Sequence, residues 1–174
     1  DAFRECSSLV TLDVSSWDVS SVTTFYAAFY NCSSLISLDV STWNVSSVTN
    51  FYAAFRYCSS LILLDMSSWV MSANLLADSY NQTFGNCGAL DLKIGAGWNF
   101  SALTEGYNAS TFLVDTDIGS TNYDNMLSII ASQPLNDNVI FGGGNSKYTA
   151  AGEVHRNAII ASNNWTFVDG GLET

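Results

Sequence analysis

The sequence predicts an α/β solenoid, a stack of strand–turn–short helix coils joined by a parallel sheet. Two observations carry that expectation. The first is a period of 26 residues: Phe3, Phe29 and Phe55 recur at that interval, as do Cys6, Cys32 and Cys58, and Trp17, Trp43 and Trp69. Leu9, Leu35 and Leu61, Leu12, Leu38 and Leu64, and Asp13, Asp39 and Asp65 keep the same interval. A self-similar period of roughly 20–50 residues marks one supersecondary unit that is stacked until neighbours bury each other's apolar face. The second observation is that each period contains two different hydrophobic spacings.

In the first half of the period, Leu35-x-x-Leu38-x-Val40-x-x-Trp43-x-Val45 follows the leucine-rich-repeat pattern, with a short strand over 37–41 and Trp43 where that pattern usually has Asn or Cys. In the second half, Val48, Phe51 and Phe55 fall at i, i+3 and i+7, the spacing of a short helix, with Ser46 or Ser47 as its N-cap. Neither half holds alone. A two-turn helix is marginal in water, and a lone strand has unpaired backbone on both sides.

The coils follow in order: 1–28, 29–54, 55 to about 83, and a fourth that ends near 107. In the third, Phe55 to Phe84 spans 29 residues, which puts three extra residues into a loop near 78–82. In the fourth, Cys87, Leu90 and Trp98 keep their offsets, while Leu90-Asp-Leu-Lys-Ile94 alternates with period two and predicts a bulge at 95–97. Residues 108–174 read as degenerate coils completing the same stack, since terminal repeats lose the consensus where one side faces no partner. There we expect a strand at 111–114, an amphipathic helix at 121–132 stopped by Pro134, and a buried strand at 139–141 ended by Gly142–Gly144. A helix capped by Thr149 should follow, with Val154, Ala158 and Ile159 inward, then a last strand at 165–168.

The motif Cys-Ser-Ser-Leu-x-x-Leu-Asp-x-Ser-x-Trp-x-x-Ser-x-Val-Thr begins at Cys6 and Cys32 and, in part, at Cys58. It resembles the BspA-like leucine-rich-repeat surface proteins over about residues 1–72. The segment from Tyr123 to Gly171 is similar to the one that often closes such arrays. The resemblance implies a cell-surface, sometimes adhesive, repeat protein.

Composition bounds the partners. The 174 residues are 48% hydrophobic, enough for a core, and only 12% are charged. Sixteen acids against five bases give a net charge of −11, so Arg4, Arg56, Lys93, Lys147 and Arg156 cannot neutralise a phosphate backbone and nucleic acid is excluded as a partner. Such an acidic, hydroxyl-rich surface suits an extracellular or cell-surface setting. No apolar run reaches the ~18 residues of a membrane span. The chain opens on Asp1 in mid-repeat, which fits a removed leader or a longer parent. That end of the stack, unprotected, would accept the flat end of another copy, and non-closing head-to-tail stacking gives filaments.

Candidate sites are columns. Cys6, Cys32, Cys58 and Cys87 share one position in four coils at a spacing of about 4.8 Å. That leaves disulfides (Cys6–Cys32 and Cys58–Cys87), a row of buried thiols, or a metal as alternatives, the last disfavoured because a straight column does not converge. Asp13, Asp39 and Asp65 form an outward column with Ser37 and Ser41. It could accept hydrogen bonds from neighbouring hydroxyls, hold Ca²⁺, or serve as a binding strip. Tyr26, Tyr52 and the repeat tryptophans suit packing better than a sugar platform. Asn31, Asn44, Asn81, Asn99, Asn108 and Asn164 head N-glycosylation sequons, with Asn44 and Asn99 in exposed turns after the repeat tryptophan. Catalysis finds no support: His155 has no nucleophile beside it, Gly142–Gly144 lacks the Lys-Ser/Thr of a phosphate loop, and Asp91, Asp115 and Asp117 do not have the spacing of paired carboxylates. The expected function is therefore a structural or adhesive module with no cofactor, acting on protein or glycan at a cell surface, or else a subunit of a self-assembling filament.

Overall fold

The computed structural model describes residues 1–76, 78–105 and 109–174. Successive repeats lie side by side in parallel at the period of the sequence. Isolated parallel bridges join Thr11 to Ser37, Ser37 to Leu63, and Thr24 to Asn50. The first regular strand is β1 (Leu63–Met66), which pairs with β3 (Asp91–Ile94) in the register Leu63↔Asp91 to Met66↔Ile94. Between them, β2 (Gly88–Ala89) pairs with β4 (Thr116–Asp117). After α1 (Ser120–Ala131) come β5 (Ile140–Gly142), α2 (Ala150–Asn163) and β6 (Thr166–Val168), with β5 and β6 paired in parallel and α1 packed on α2.

The core is a set of aromatic columns. Phe3, Phe29, Phe55 and Phe84 stack at 5.4, 5.4 and 5.7 Å with planes within 6°. Trp17, Trp43, Trp69 and Trp98 stack at 6.3, 6.3 and 6.4 Å. Each such ring pair contributes about 0.5–1.5 kcal/mol beyond the area it buries. From the second repeat on, each tryptophan also donates its Nε1–H to a carbonyl of the preceding one: Trp43 to Val14, Trp69 to Val40 and Trp98 to Met66. That bond satisfies the one polar atom of a side chain otherwise sealed from water.

The helix expected in each repeat does not form. Residues 46–55 are a run of turns, and the backbone explains why. Phe25, Ala27 and Phe29 donate their N–H groups to Asn50, Tyr52 and Ala54 in the next repeat, while Ala28, Tyr30 and Cys32 donate to the residue three back. Every second N–H is thus committed sideways, and an α-helix needs all of them for its own i−4 carbonyls. Ala27 and Ala53 take up left-handed φ values of 48° and 53° to sustain the alternation. Nor is Ser46 an N-cap; its N–H and hydroxyl donate to Asn44 Oδ1.

Other expectations shift by a few residues. The strand placed at 111–114 is a turn, and the strand follows it at β4. Over 95–97 the chain makes a turn, with Trp98 N–H on the Gly95 carbonyl, in place of a bulge. Gly95 and Gly97 pass so close to the carbonyls of Ser67 and Trp69 that a Cβ on either would collide with backbone. In α2, Thr149 caps the N-terminus by accepting from Ala151 N–H, and Ile159 is buried, but Val154 is 67% exposed and Ala158 also faces solvent. The inward face of α2 is instead made by Gly152 and Ile159, where Gly152 leaves room for the Asp124 carboxylate that accepts from Thr149.

Candidate binding surface

Parallel pairing at a fixed period turns each outward sequence position into a row. On the ladder that runs through Ser37, the positions not used for the core are exposed. Val10, Ile36 and Ile62 form an aliphatic row with exposures of 47%, 42% and 62%, knitted by the N–H of Ile36 on the Val10 carbonyl and of Ile62 on the Ile36 carbonyl. Beside it runs Thr11, Ser37 and Leu63, then Asp13, Asp39 and Asp65. A groove of about 380 Å³ opens between them, lined by Ser37, Asp39, Ser41, Leu63 and Asp65 among others.

Each aspartate repeats one local arrangement. Oδ1 of Asp13 accepts from the Ser15 N–H at 3.1 Å and its hydroxyl at 2.6 Å, Asp39 does the same with Ser41 (3.1 and 2.7 Å), and Asp65 with Ser67 (3.0 and 2.6 Å). The serine hydroxyl and then its N–H hold all three carboxyls below the ordinary value of 3.8. For Asp39, the repulsion from Asp13 and Asp65 acts the other way and is outweighed. The row is therefore ionised throughout the neutral range. Asp91 continues the acidic character next to β1, paired with Lys93 at 3.7 Å.

The aliphatic row escaped the sequence reading. Val10, Ile36 and Ile62 fall in a slot the repeat pattern leaves free, four residues after each cysteine, and the 26-residue recurrence of large aliphatics in a free slot was the signal available.

All four cysteines are free: Cys32, Cys58 and Cys87 are buried, and each donates its thiol to the carbonyl of the phenylalanine one repeat earlier, Phe3, Phe29 and Phe55, at 3.1 Å. Burial pushes the Cys32 thiol up to about 11 and the Cys87 thiol up to about 12, and raises Cys58 as well. The sign for stability follows. Below the ordinary thiol value of 9.0 both the folded and the unfolded chain keep these protons. Above it only the unfolded chain releases them, so stability drains as pH rises toward the folded values. We expect the urea midpoint in reductant to fall between pH 9 and 11, and native thiol titration at pH 8 to find Cys6 fast and the other three slow until unfolding.

Among the described residues, no three His, Cys, Asp or Glu side chains are grouped to hold a metal ion. Tyr26 and Tyr52 stack on each other at 5.3 Å and 10°, so one face of each ring is taken up by the other, as packing between repeats requires, while Tyr26 stays 44% exposed. Of the sequons, Asn44 and Asn164 are exposed, while Asn31 is half-buried in a left-handed turn. Asn81 Oδ1 is buried without a partner and its Thr83 is sealed, and Asn99 is tied to Ser72 and Ser101. Asn108 lies outside the described residues. His155 is half-buried on α2, Asp115 accepts from Asn86, Asp91 accepts from Asn122, and Asp91 and Asp117 line one open groove with Asn122. Gly142 and Gly143 pass against Ser110 and Tyr123, as close packing requires.

No helix is long and apolar enough to cross a membrane among the described residues. Residues 1–123 match the family described as Mycoplasma protein of unknown function, DUF285. No curated protein and no solved structure matches the chain.

Proposed function

The chain belongs to the DUF285 family, described as Mycoplasma protein of unknown function, and from that membership we propose that it is an extracellular structural or adhesive module of the BspA-like leucine-rich-repeat kind, working through its surface without catalysis. Its repeats stack as a solenoid whose strand side is the working face. One observation carries this reading: Val10, Ile36 and Ile62 stay exposed at one repeat position, in register beside the Asp13, Asp39 and Asp65 row, with the exposed Leu63 next to them. An apolar row that the fold leaves in water, rimmed by charge, has the make-up of a contact surface. The partner is protein or glycan at a cell surface.

The test is retention on intact cells. A variant with Asp13, Asp39 and Asp65 changed to Asn and with Ile36→Ser and Ile62→Ser keeps the Oδ1 acceptors for the serines, and therefore the turns. The parent chain should be retained, and the folded variant should lose about tenfold or more in affinity, since each buried aliphatic in a contact contributes about 1–3 kcal/mol. Equal retention of both, or none of the parent, rejects the proposal.

A second reading, copies assembled as a filament, is favoured by the Trp17 ring, which is 39% exposed beside Phe3 and could meet another copy.

A further inference from the structure

Apolar and acidic side chains run together across the strand face. Leu63, 41% exposed, lines the groove of about 380 Å³ that holds Asp39 and Asp65. Ile62, its neighbour in the exposed aliphatic row, lines a second groove of about 380 Å³ that continues along Leu90, Asp91, Asp117 and Asn122. In Asp13, Asp39 and Asp65 it is Oδ1 that the serine two residues on occupies. Among the described residues Oδ2 of each accepts nothing, and none of the three makes an ion pair. Lys93 stands opposite Asp65 in the β1–β3 register, but it is paired with Asp91 at 3.7 Å.

Complementarity therefore asks an occupant for cations of its own, and for apolar side chains to set against Val10, Ile36, Ile62 and Leu63. A neutral glycan has neither, and a nucleic acid or acidic surface is repelled by a chain of net charge −11. A protein segment with Lys or Arg beside aliphatic residues has both. Its conformation follows from the spacing. The rows offer one group per repeat, and coils paired in parallel lie about 4.8 Å apart. A helix laid along the stack presents one side chain per turn of about 5.4 Å, and so drifts by only about 1.2 Å over the two steps from Asp13 to Asp65. An extended segment presents one about every 6.6 Å and would drift by about 3.6 Å.

We infer that this face receives a basic amphipathic helix of a partner protein, lying along the stack with its aliphatic flank toward Val10, Ile36 and Ile62 and its Lys or Arg toward Asp13, Asp39 and Asp65. The inference rests on the strand face being the contact surface and goes further by naming what it contacts. A second copy of the chain does not supply such a helix: α1 has no Lys or Arg, and Arg156 on α2 is held by Asp169 at 3.0 Å.

The test is a titration of a dye-labelled synthetic peptide of Leu, Lys and Ala, with Leu at i, i+4 and i+7 and Lys flanking them, by the full chain, read as fluorescence anisotropy. One control peptide has every Lys changed to Glu; the other has the same composition reordered so that Leu and Lys alternate as in a strand. The helical basic peptide should bind about tenfold or more tightly than either control, as opposed charge and register together require. Changing Asp13, Asp39 and Asp65 to Asn, which keeps Oδ1 for the serines, should weaken it by about tenfold, the sum expected of three exposed ion pairs. Asp78→Asn, Glu153→Gln and Glu173→Gln together remove as many charges elsewhere and should change it by less than about twofold. Equal loss from the two triple variants would make net charge the attraction, and equal binding of the alternating peptide would make the occupant an extended segment. Either result overturns the proposal, as does no binding of the helical peptide. The strand-face reading fails separately, by equal retention of parent and variant on cells. If the variant is lost from cells while the peptide does not bind, the face stands as a contact surface and its occupant has other chemistry.

Discussion

Trp69→Ala should cost about 3–5 kcal/mol of stability, the range for removing a large buried aromatic side chain, while the same change at Trp17 should cost only about 1 kcal/mol. The residues occupy one position in the repeat, and sequence alone ranks them equal. Their surroundings do not. Trp69 is 1% exposed, stacks between Trp43 and Trp98, touches Phe51, and satisfies its Nε1–H on the Val40 carbonyl. Truncation there opens a cavity that the flanking rings cannot fill, since each is held by its own column, and it leaves the Val40 carbonyl with the Trp43 N–H alone. Trp17 loses Phe3 and Trp43 on its inner side only, and water already meets the rest. Urea unfolding followed by both circular dichroism and fluorescence checks this, two probes being needed because stacked repeats can unfold in parts. Equal costs at the two positions would mean that the columns do not extend through the interior as described.

The same contrast shows what the sequence could and could not convey. A period of 26 places Phe29 under Phe55 and Trp43 under Trp69 once parallel stacking is assumed, and the ring columns are that expectation made concrete. The helices α1 and α2 were legible too, because Tyr123, Met126, Leu127 and Ile130 place four apolar residues on one face and Thr149 stands where a cap belongs. Val48, Phe51 and Phe55 keep a similar spacing without a helix, and the reason is cooperative rather than local. Three apolar residues over two turns cannot outweigh the sideways hydrogen bonds that neighbouring repeats offer. Those bonds are invisible until the neighbours are in place. The left-handed Ala53 is likewise unpredictable from an alanine, the residue that most favours the right-handed helix. On the strand face, the aspartate row was read directly, and its tie to Ser15, Ser41 and Ser67 holds the carboxyls below their ordinary value. The exposed Val10, Ile36 and Ile62 carried a signal in their recurrence at a slot the core pattern leaves free, and the strand geometry shows that slot facing solvent.

Arg156→Ala should cost about 3 kcal/mol, at the low end of what breaking a buried ion pair does. The Arg156 Nε lies 3.0 Å from Asp169 Oδ2, with the two side chains 18% and 3% exposed. The Tyr123 hydroxyl donates to the same oxygen at 3.0 Å, and burial, then the carboxylate itself, holds that phenol well above its ordinary value so that it stays a donor. Without the guanidinium, Asp169 keeps the Tyr123 hydroxyl and the Gly171 N–H but loses its counter-charge, and Tyr148 and Phe167 lose the cation that covers their rings. Asp169→Asn removes the charge with little change of shape and leaves Arg156 as the unpaired member. If the cost of each single change is mainly the charge left behind, Arg156→Ala with Asp169→Asn should be less damaging than the two added together, by more than about 1 kcal/mol in a double-mutant cycle. Salt should alter that coupling little, because the pair is shielded from solvent ions. Additive single changes in the urea midpoint would show that Arg156 acts by packing alone and that Asp169 is content with Tyr123.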